Sequence, residues 1–89
     1  MKAVQARVSG RVQGVSFRWY TEEKARSLGV TGWVRNDPDG SVLLHAEGED
    51  DAVDALVAWC RTGSSMARVT DVAVRDTAAS GATSFETRH

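Results

Sequence analysis

The stretch Val8-Ser-Gly-Arg-Val-Gln-Gly-Val-Ser-Phe-Arg18 determines how the first half of this chain folds. Apolar and polar residues alternate from Val4 to Val12, which is the period of a β-strand with one buried face. Gly10 and Gly14 interrupt that alternation, and the sequence that follows predicts a helix from about Ser16 or Phe17 to Leu28. The stretch therefore contains the end of a strand, a glycine-containing loop and the start of a helix.

The remaining chain contains further periodic segments separated by turn residues. Gly29 is placed to cap the first helix, and Asp37-Pro-Asp-Gly40 has the composition of a turn between two β-rich runs, which predicts a hairpin. The acidic residues Glu49-Asp-Asp51 precede a second helix and are predicted to cap it. In chain order, we predict strands at Val30–Arg35 and Ser41–Ala46, a helix from Glu49 to the residue before Gly63, a strand at Val69–Val74 and a short strand near Ser84–Arg88.

This order of elements, β-α-β-β-α-β with a short terminal strand, predicts an α+β protein with the ferredoxin-like fold. That fold is a two-layer α/β sandwich in which both helices cover one face of an antiparallel sheet. If strand three lies between strands one and two, those two run in the same direction and end at the same edge of the sheet. The Gly10–Ser16 loop and Asn36 would then meet at that edge. The residues predicted to form the buried stripe of the first helix are Phe17, Tyr20, Ala25 and Leu28.

Length and composition restrict the classes of protein to which the chain can belong. A chain of 89 residues can bury only one core, so we expect one domain spanning residues 1–89. The net charge of -1 lacks the basic excess of proteins that bind nucleic acid or anionic lipid. The single cysteine, Cys60, excludes an intrachain disulfide, and no stretch approaches the ~18 apolar residues of a membrane span. We therefore expect a cytoplasmic protein with no nucleic-acid or membrane partner. We also take the protein to be a monomer.

The loop between Gly10 and Gly14, followed at once by a helix, has the features of an anion site. Glycines let backbone N–H groups turn inward, and the helix N-terminus adds partial positive charge. Arg18 lies in the first helical turn, where a guanidinium can hold two phosphate oxygens. Taken singly, such a loop is more often a structural turn and such an arginine is more often solvated. The spacing matches neither a Walker A loop nor a dinucleotide fingerprint, so nucleotide chemistry is not expected.

These residues carry a resemblance to a known family. The stretch from Val8 to Arg18, followed by Gly32-Trp-Val-Arg-Asn36 and Asp39-Gly-Ser-Val42, resembles the acylphosphatase family. The resemblance extends from about Val4 to Val74. The chain differs in its last strand, which is less apolar than in many relatives. The resemblance implies a metal-independent enzyme without a cofactor that hydrolyses small acyl phosphates to carboxylate and inorganic phosphate.

The resemblance also implies the roles of individual residues. Arg18 is then the phosphate-binding catalytic residue, and Asn36 is the catalytic residue that orients the attacking water. The backbone from Val12 to Ser16 forms the phosphate cradle, so the substrate-binding residues are Val12, Gln13, Gly14, Val15 and Ser16. By its position alone, Asn36 beside Asp37-Pro38 would be assigned to the turn. The acylphosphatase resemblance favours the catalytic assignment instead.

Other candidate residues have less support. Ser16 lacks a paired base, so we assign it to the cradle and not to a phosphoserine nucleophile. His45 and His89 would need further ligands to bind a metal, and no metal site is expected. Cys60 is predicted to be a small core residue.

The aromatic residues lack the pattern of an RNA-binding sheet, and most of them are predicted to lie in the core, with Trp33 or Trp19 bordering the substrate. These aromatic residues are Trp19, Tyr20, Trp33 and Trp59.

Two other functions remain as alternatives. The first is a non-catalytic ferredoxin-like module that binds an anion for regulation or interaction, against which the presence of Asn36 argues. The second is a domain that handles carbamoyl phosphate within a larger maturation protein, for which the chain offers no zinc-finger cysteines. Hydrolysis of an acyl phosphate assay substrate distinguishes the enzyme from the binding module.

Overall fold

The computed structural model describes residues 1–89 and contains five strands and two helices. The order of elements agrees with the sequence prediction of a ferredoxin-like arrangement with a short terminal strand. All boundaries lie within two residues of their predicted positions. The elements are β1 (Lys2–Arg11), α1 (Phe17–Leu28), β2 (Thr31–Asn36), β3 (Val42–Gly48), α2 (Asp50–Thr62), β4 (Arg68–Asp76) and β5 (Phe85–Arg88).

The strands form one sheet in the order β4-β1-β3-β2-β5, so β3 lies between β1 and β2 as predicted. Both β1 and β2 pair antiparallel with β3. The two strands therefore run in the same direction and end at one edge of the sheet, at Arg11 and Asn36. The backbone after β1 and the end of β2 consequently lie on the same side of the molecule.

The sheet is antiparallel, as predicted, except at its last strand. β5 pairs parallel with β2, with Gly32 opposite Phe85 and Val34 opposite Thr87. The cause is the direction of β4, which runs antiparallel to β1 and ends beside Val4. The chain leaves β4 at the end of the sheet where β1 and β2 begin, so it enters β5 from that end and must run alongside β2.

The core lies between the helices and one face of the sheet. Phe17 and Ala25 are buried in α1, as predicted, but Tyr20 is 44% exposed and Thr21 is buried instead. Thr21 lies one turn after Phe17 and donates its hydroxyl hydrogen to the Phe17 carbonyl at 2.8 Å, which satisfies its polar group inside the core. The buried apolar residues contributed by the three central strands are Val4, Ala6, Val8, Val34, Val42, Leu44 and Ala46.

The second helix completes the core but is not capped as predicted. Glu49 precedes α2 without a side-chain hydrogen bond to the helix, and Asp50 and Asp51 lie in its first turn. The acidic residues therefore act through the helix dipole and not through a capping bond. Cys60 is fully buried, which confirms its assignment to the core. No helix in the structure has the length and apolar character to cross a membrane.

The aromatic residues do not all lie in the core. Trp59 packs against Phe17 with ring centroids 5.4 Å apart. Trp33 lies on the opposite face of the sheet, where its ring stacks on His45. Trp19 is 55% exposed, and its ring contacts that of Tyr20, which is also exposed. Of the four aromatic residues named above, only Trp59 packs against the core, so the prediction that most of them are core residues is wrong.

Candidate active site

The loop between β1 and α1 has an unusual backbone at its last residue. Ser16 adopts the left-handed conformation with φ of 60°, and it is the only residue other than glycine with a positive φ. Gly14, two residues earlier, also has a positive φ, of 73°. A left-handed non-glycine residue costs on the order of 1 kcal/mol, and such strain concentrates at ligand-binding sites. The loop is therefore held in a conformation that local preferences alone would not select.

The amide groups of this loop and of the first helical turn have no protein acceptors. None of the backbone N–H groups from Gln13 to Trp19 donates a hydrogen bond within the protein. The Ser16 side chain makes no capping bond. The Val15 carbonyl, in contrast, accepts a hydrogen bond from the Ser64 hydroxyl at 3.3 Å. This pattern of free donors beside a helix N-terminus is the arrangement that binds phosphate groups.

Arg18 lies in the first turn of α1, directly after the loop. One of its guanidinium nitrogens, Nη1, donates a hydrogen bond to the carbonyl of Arg88 at 3.0 Å. The same nitrogen lies 3.3 Å from Nδ1 of His89. No carboxylate forms an ion pair with Arg18, so its positive charge is available to an anionic ligand.

Asn36 is the last residue of β2 and lies on the sheet face that the helices cover. The pairing of Asn36 with Val42 and of Val34 with Leu44 places these residues on that face. The amide oxygen of Asn36, Oδ1, is buried and has no hydrogen-bond partner. Leaving a buried acceptor unsatisfied costs about 1 to 3 kcal/mol, and the great majority of buried polar atoms are paired. The position therefore needs a donor that the protein does not supply.

A side chain joins the loop between β1 and α1 to the turn that follows β2. Nε2 of Gln13 donates hydrogen bonds to the carbonyls of Asp37 and Ser41, at 2.8 and 2.9 Å. Asp37 directly follows Asn36 in the chain. Gln13 thus bonds the loop to the turn that follows Asn36, at the edge of the sheet where the strand order predicted that the loop and Asn36 would meet.

A second group of side chains holds the turn between β2 and β3. Arg7 Nη1 donates to Asp39 Oδ2 at 2.7 Å and to the Ser41 hydroxyl at 2.7 Å. Hydrogen bonds from the hydroxyl and the backbone N–H of Ser41 keep the pKa of Asp39 below its usual value. Sequence reasoning did not identify this network, because Arg7 appears in the sequence as one more polar residue of an alternating strand.

His45 is not part of the candidate active site. It is buried on the other face of the sheet, where its Nε2 donates to Glu47 Oε2 at 2.5 Å. Glu47 also accepts hydrogen bonds from the backbone N–H and hydroxyl of Ser80. Burial raises the pKa of Glu47, but the hydrogen bonds from His45 and Ser80 outweigh that effect and lower the pKa to about 2. The pair anchors the segment between β4 and β5.

Two further features bear on how ligands could bind. No three His, Cys, Asp or Glu side chains are grouped as metal ligands would be. A groove of about 600 Å³ lies on the uncovered face of the sheet, between Arg7, Trp33 and Arg75. Neither Arg18 nor Asn36 lines that groove, so it is distinct from the candidate active site.

Comparisons with known proteins identify relatives of this chain. The family model described as acylphosphatase matches residues 4–87. An acylphosphatase from a Nocardioides species is 54% identical over 97% of this chain and 87% of its own length. One from Methylococcus capsulatus is 57% identical over 91% and 88% of the two chains. The crystal structure of the acylphosphatase from Bacillus subtilis superimposes with a TM-score of 0.96 over the whole of both chains, at 34% identity. Because the family match covers nearly the whole chain and is supported by close relatives, this protein belongs to the acylphosphatase family.

Proposed function

We propose that Arg18, Asn36 and the loop from Val12 to Ser16 perform the acylphosphatase reaction in this enzyme. The reaction hydrolyses the carboxyl–phosphate bond of a small acyl phosphate to a carboxylate and inorganic phosphate. The observation that carries the proposal is the buried, unpartnered Oδ1 of Asn36, at the same sheet edge as a loop of free N–H groups. We further propose that residues 1–89 act as one domain, as a monomer in the cytoplasm.

The loop and Arg18 bind the phosphoryl group of the substrate. Free backbone N–H groups of the loop donate to the phosphoryl oxygens, and the partial positive charge at the start of α1 adds to the attraction. Arg18 provides a full charge and several donors in one plane, which match two oxygens of a phosphate. As the bond to the carboxylate breaks, these donors stabilise the charge that develops on the phosphoryl oxygens and the leaving group.

Asn36 positions the attacking water. An amide oxygen accepts a hydrogen bond from water, and the amide nitrogen can donate to a phosphoryl oxygen. A water held in this way lies close to the phosphorus and is oriented for attack opposite the leaving carboxylate. Asn36 is too weak a base to take the proton, so the substrate phosphate itself accepts it.

The reaction needs few groups because its leaving group is good. A carboxylate departs without protonation, so no general acid is required. Positioning and charge stabilisation then account for catalysis, and both come from Arg18, Asn36 and backbone N–H groups without a resident metal.

Hydrolysis of benzoyl phosphate in the presence of a chelator tests the proposal. We expect turnover well above the rate in buffer, with inorganic phosphate as a competitive inhibitor. Inhibition by phosphate shows that the phosphate product occupies the site that the substrate uses. Phosphate binding without any turnover would contradict the proposal and would favour the non-catalytic anion-binding module.

A further inference from the structure

The side chain of Gln13 lies between the β1–α1 loop and the turn that connects β2 to β3. Its Nε2 group lies 2.8 Å from the carbonyl oxygen of Asp37 and 2.9 Å from that of Ser41. Carbonyl oxygens only accept hydrogen bonds, so the group between them must be the amide NH₂, whose two hydrogens match two acceptors. The geometry therefore fixes the orientation of the Gln13 amide without ambiguity.

The two carbonyls belong to the two ends of the turn that follows Asn36. The backbone N–H of Asp37 donates to the carbonyl of Ser41 at 2.8 Å, which closes the turn. Asn36 and Val42, just before and just after these residues, form the last pair of the β2–β3 ladder. Gln13 thus holds both strands of the hairpin at the point where Asn36 projects.

The backbone of Gln13 belongs to the phosphate loop, one residue before Gly14. The side chain of Gln13 bonds to the hairpin and its backbone is part of the loop, so this residue connects the loop to the hairpin. No other hydrogen bond joins residues 12–16 to the hairpin turn.

We propose that Gln13 is a positioning residue, whose side-chain amide keeps the water-orienting Asn36 at a fixed distance from the loop of residues 12–16. This inference rests on the proposed function of Asn36. It gives the Gln13 side chain a role distinct from the phosphate binding assigned to its backbone. Phosphate binding needs only the loop and Arg18, whereas in-line attack by water needs the loop and Asn36 at a fixed separation. A misplacement of about 1 Å between reacting groups lowers a rate by up to about 100-fold.

The test compares Gln13→Ala with Gln5→Ala in hydrolysis of benzoyl phosphate. Gln5 is a matched control because it lies in β1 and its side chain accepts a hydrogen bond from Arg75, away from the site. We expect Gln13→Ala to lower kcat by about 10-fold to 100-fold and to leave the inhibition constant of phosphate within about twofold. Gln5→Ala should retain full activity. A kcat for Gln13→Ala within twofold of the unmodified enzyme would overturn the inference, and so would an equal loss of phosphate affinity and kcat.

A double mutant separates a positioning role from a general structural one. If Gln13 acts through Asn36, the loss from Gln13→Ala largely disappears when Asn36→Ala is already present, because there is no longer a group to position. If the two losses multiply, Gln13 acts independently of Asn36 and the inference is wrong. This comparison is made only if the unmodified enzyme hydrolyses benzoyl phosphate, so failure of the inference is distinct from failure of the proposed function.

The variant Gln13→Glu keeps the length of the side chain but places a carboxylate against two carbonyl oxygens. We expect it to lose at least as much kcat as Gln13→Ala at neutral pH, because it cannot donate. As the pH falls and the new carboxyl group is protonated, it regains one donor, so its kcat relative to the unmodified enzyme should rise. A constant ratio across the pH range would contradict the role of the hydrogen bonds. Gln13→Glu also provides the test if Gln13→Ala does not fold, as judged by circular dichroism.

Discussion

Arg18 donates a hydrogen bond to the carbonyl of Arg88 at 3.0 Å, which joins the first turn of α1 to the end of β5. The guanidinium is thus held at the end of β5 by a backbone group 70 positions along the chain. A carbonyl accepts one hydrogen bond but does not neutralise the guanidinium, so the charge stays available to the substrate.

We expect Arg18→Lys to weaken both phosphate binding and turnover. Lysine keeps the charge but presents it at a single point and cannot hold two oxygens in one plane. The value of kcat/KM for benzoyl phosphate should fall by about 100-fold, and the inhibition constant of phosphate should rise. Arg26→Lys is the matched control, because Arg26 lies in the last turn of the same helix. Equal effects of the two substitutions would show that Arg18 has no special contact with phosphate.

Asn36→Ala is expected to lower activity without lowering stability. Removing the group that positions water should lower kcat by about 100-fold to 1,000-fold while phosphate inhibition changes little. The free energy of unfolding should stay the same or rise by about 1 kcal/mol, because the substitution removes a buried acceptor that has no partner. Steady-state kinetics and urea denaturation measure the two effects. A variant that keeps full activity would show that Asn36 does not position the water.

Glu47 is expected to make stability depend on acid pH. Its pKa is lowered from 4.5 to about 2 in the folded protein. A lowered folded-state pKa means that the ionised form contributes stability fully above the unfolded-state pKa, and this contribution is lost as the pH falls towards 2. Glu47→Gln should therefore cost about 2 kcal/mol at neutral pH and progressively less between pH 4.5 and about 2.

Urea denaturation at several pH values measures this difference. Glu86→Gln is the control, since Glu86 is an exposed residue of β5 whose carboxylate pairs only with Arg88 at 3.4 Å. It should change the free energy of unfolding by less than about 0.5 kcal/mol at every pH. A difference between Glu47→Gln and the unmodified protein that stays constant with pH would contradict the role of the ionised Glu47.

Gly32 is expected to tolerate no side chain. Its φ is 140°, and a Cβ atom there would overlap the backbone carbonyl of His45 on the neighbouring strand. Relief would require separation of β2 from β3, so Gly32→Ala should lower the free energy of unfolding by about 3 kcal/mol or more. Gly40→Ala is the control, because that glycine also has a positive φ but faces open space. It should cost about 1 kcal/mol, and equal costs at the two positions would show that steric overlap is not the cause.

The Cys60 thiol is expected to be unreactive in the folded protein. Burial raises its pKa to about 12, so almost no thiolate exists at neutral pH. A chromogenic disulfide reagent should label the protein only in denaturant, with one thiol per chain. Rapid labelling of the native protein would show that α2 opens readily from the sheet.

The sequence alone was sufficient for the order of elements and for the position of the loop between β1 and α1. These features depend on local patterns, because the alternation in β1, the glycines of the loop and the turn at Asp37–Gly40 determine backbone conformation over a few residues. The acylphosphatase resemblance added the family, and the comparisons confirmed it. Arg18 and Asn36 were named from the resemblance, and their roles remain predictions.

Only the tertiary structure decided how these local elements meet. The parallel pairing of β5 with β2 depends on the direction in which the chain leaves β4, which no local pattern encodes. The contact of Gln13 with the hairpin joins residues that are 24 and 28 positions apart, so a single sequence does not reveal it. The sequence thus determined the loop and its arginine through short-range backbone preferences. The hydrogen bonds that connect this loop to the turn after Asn36 came from packing between distant segments.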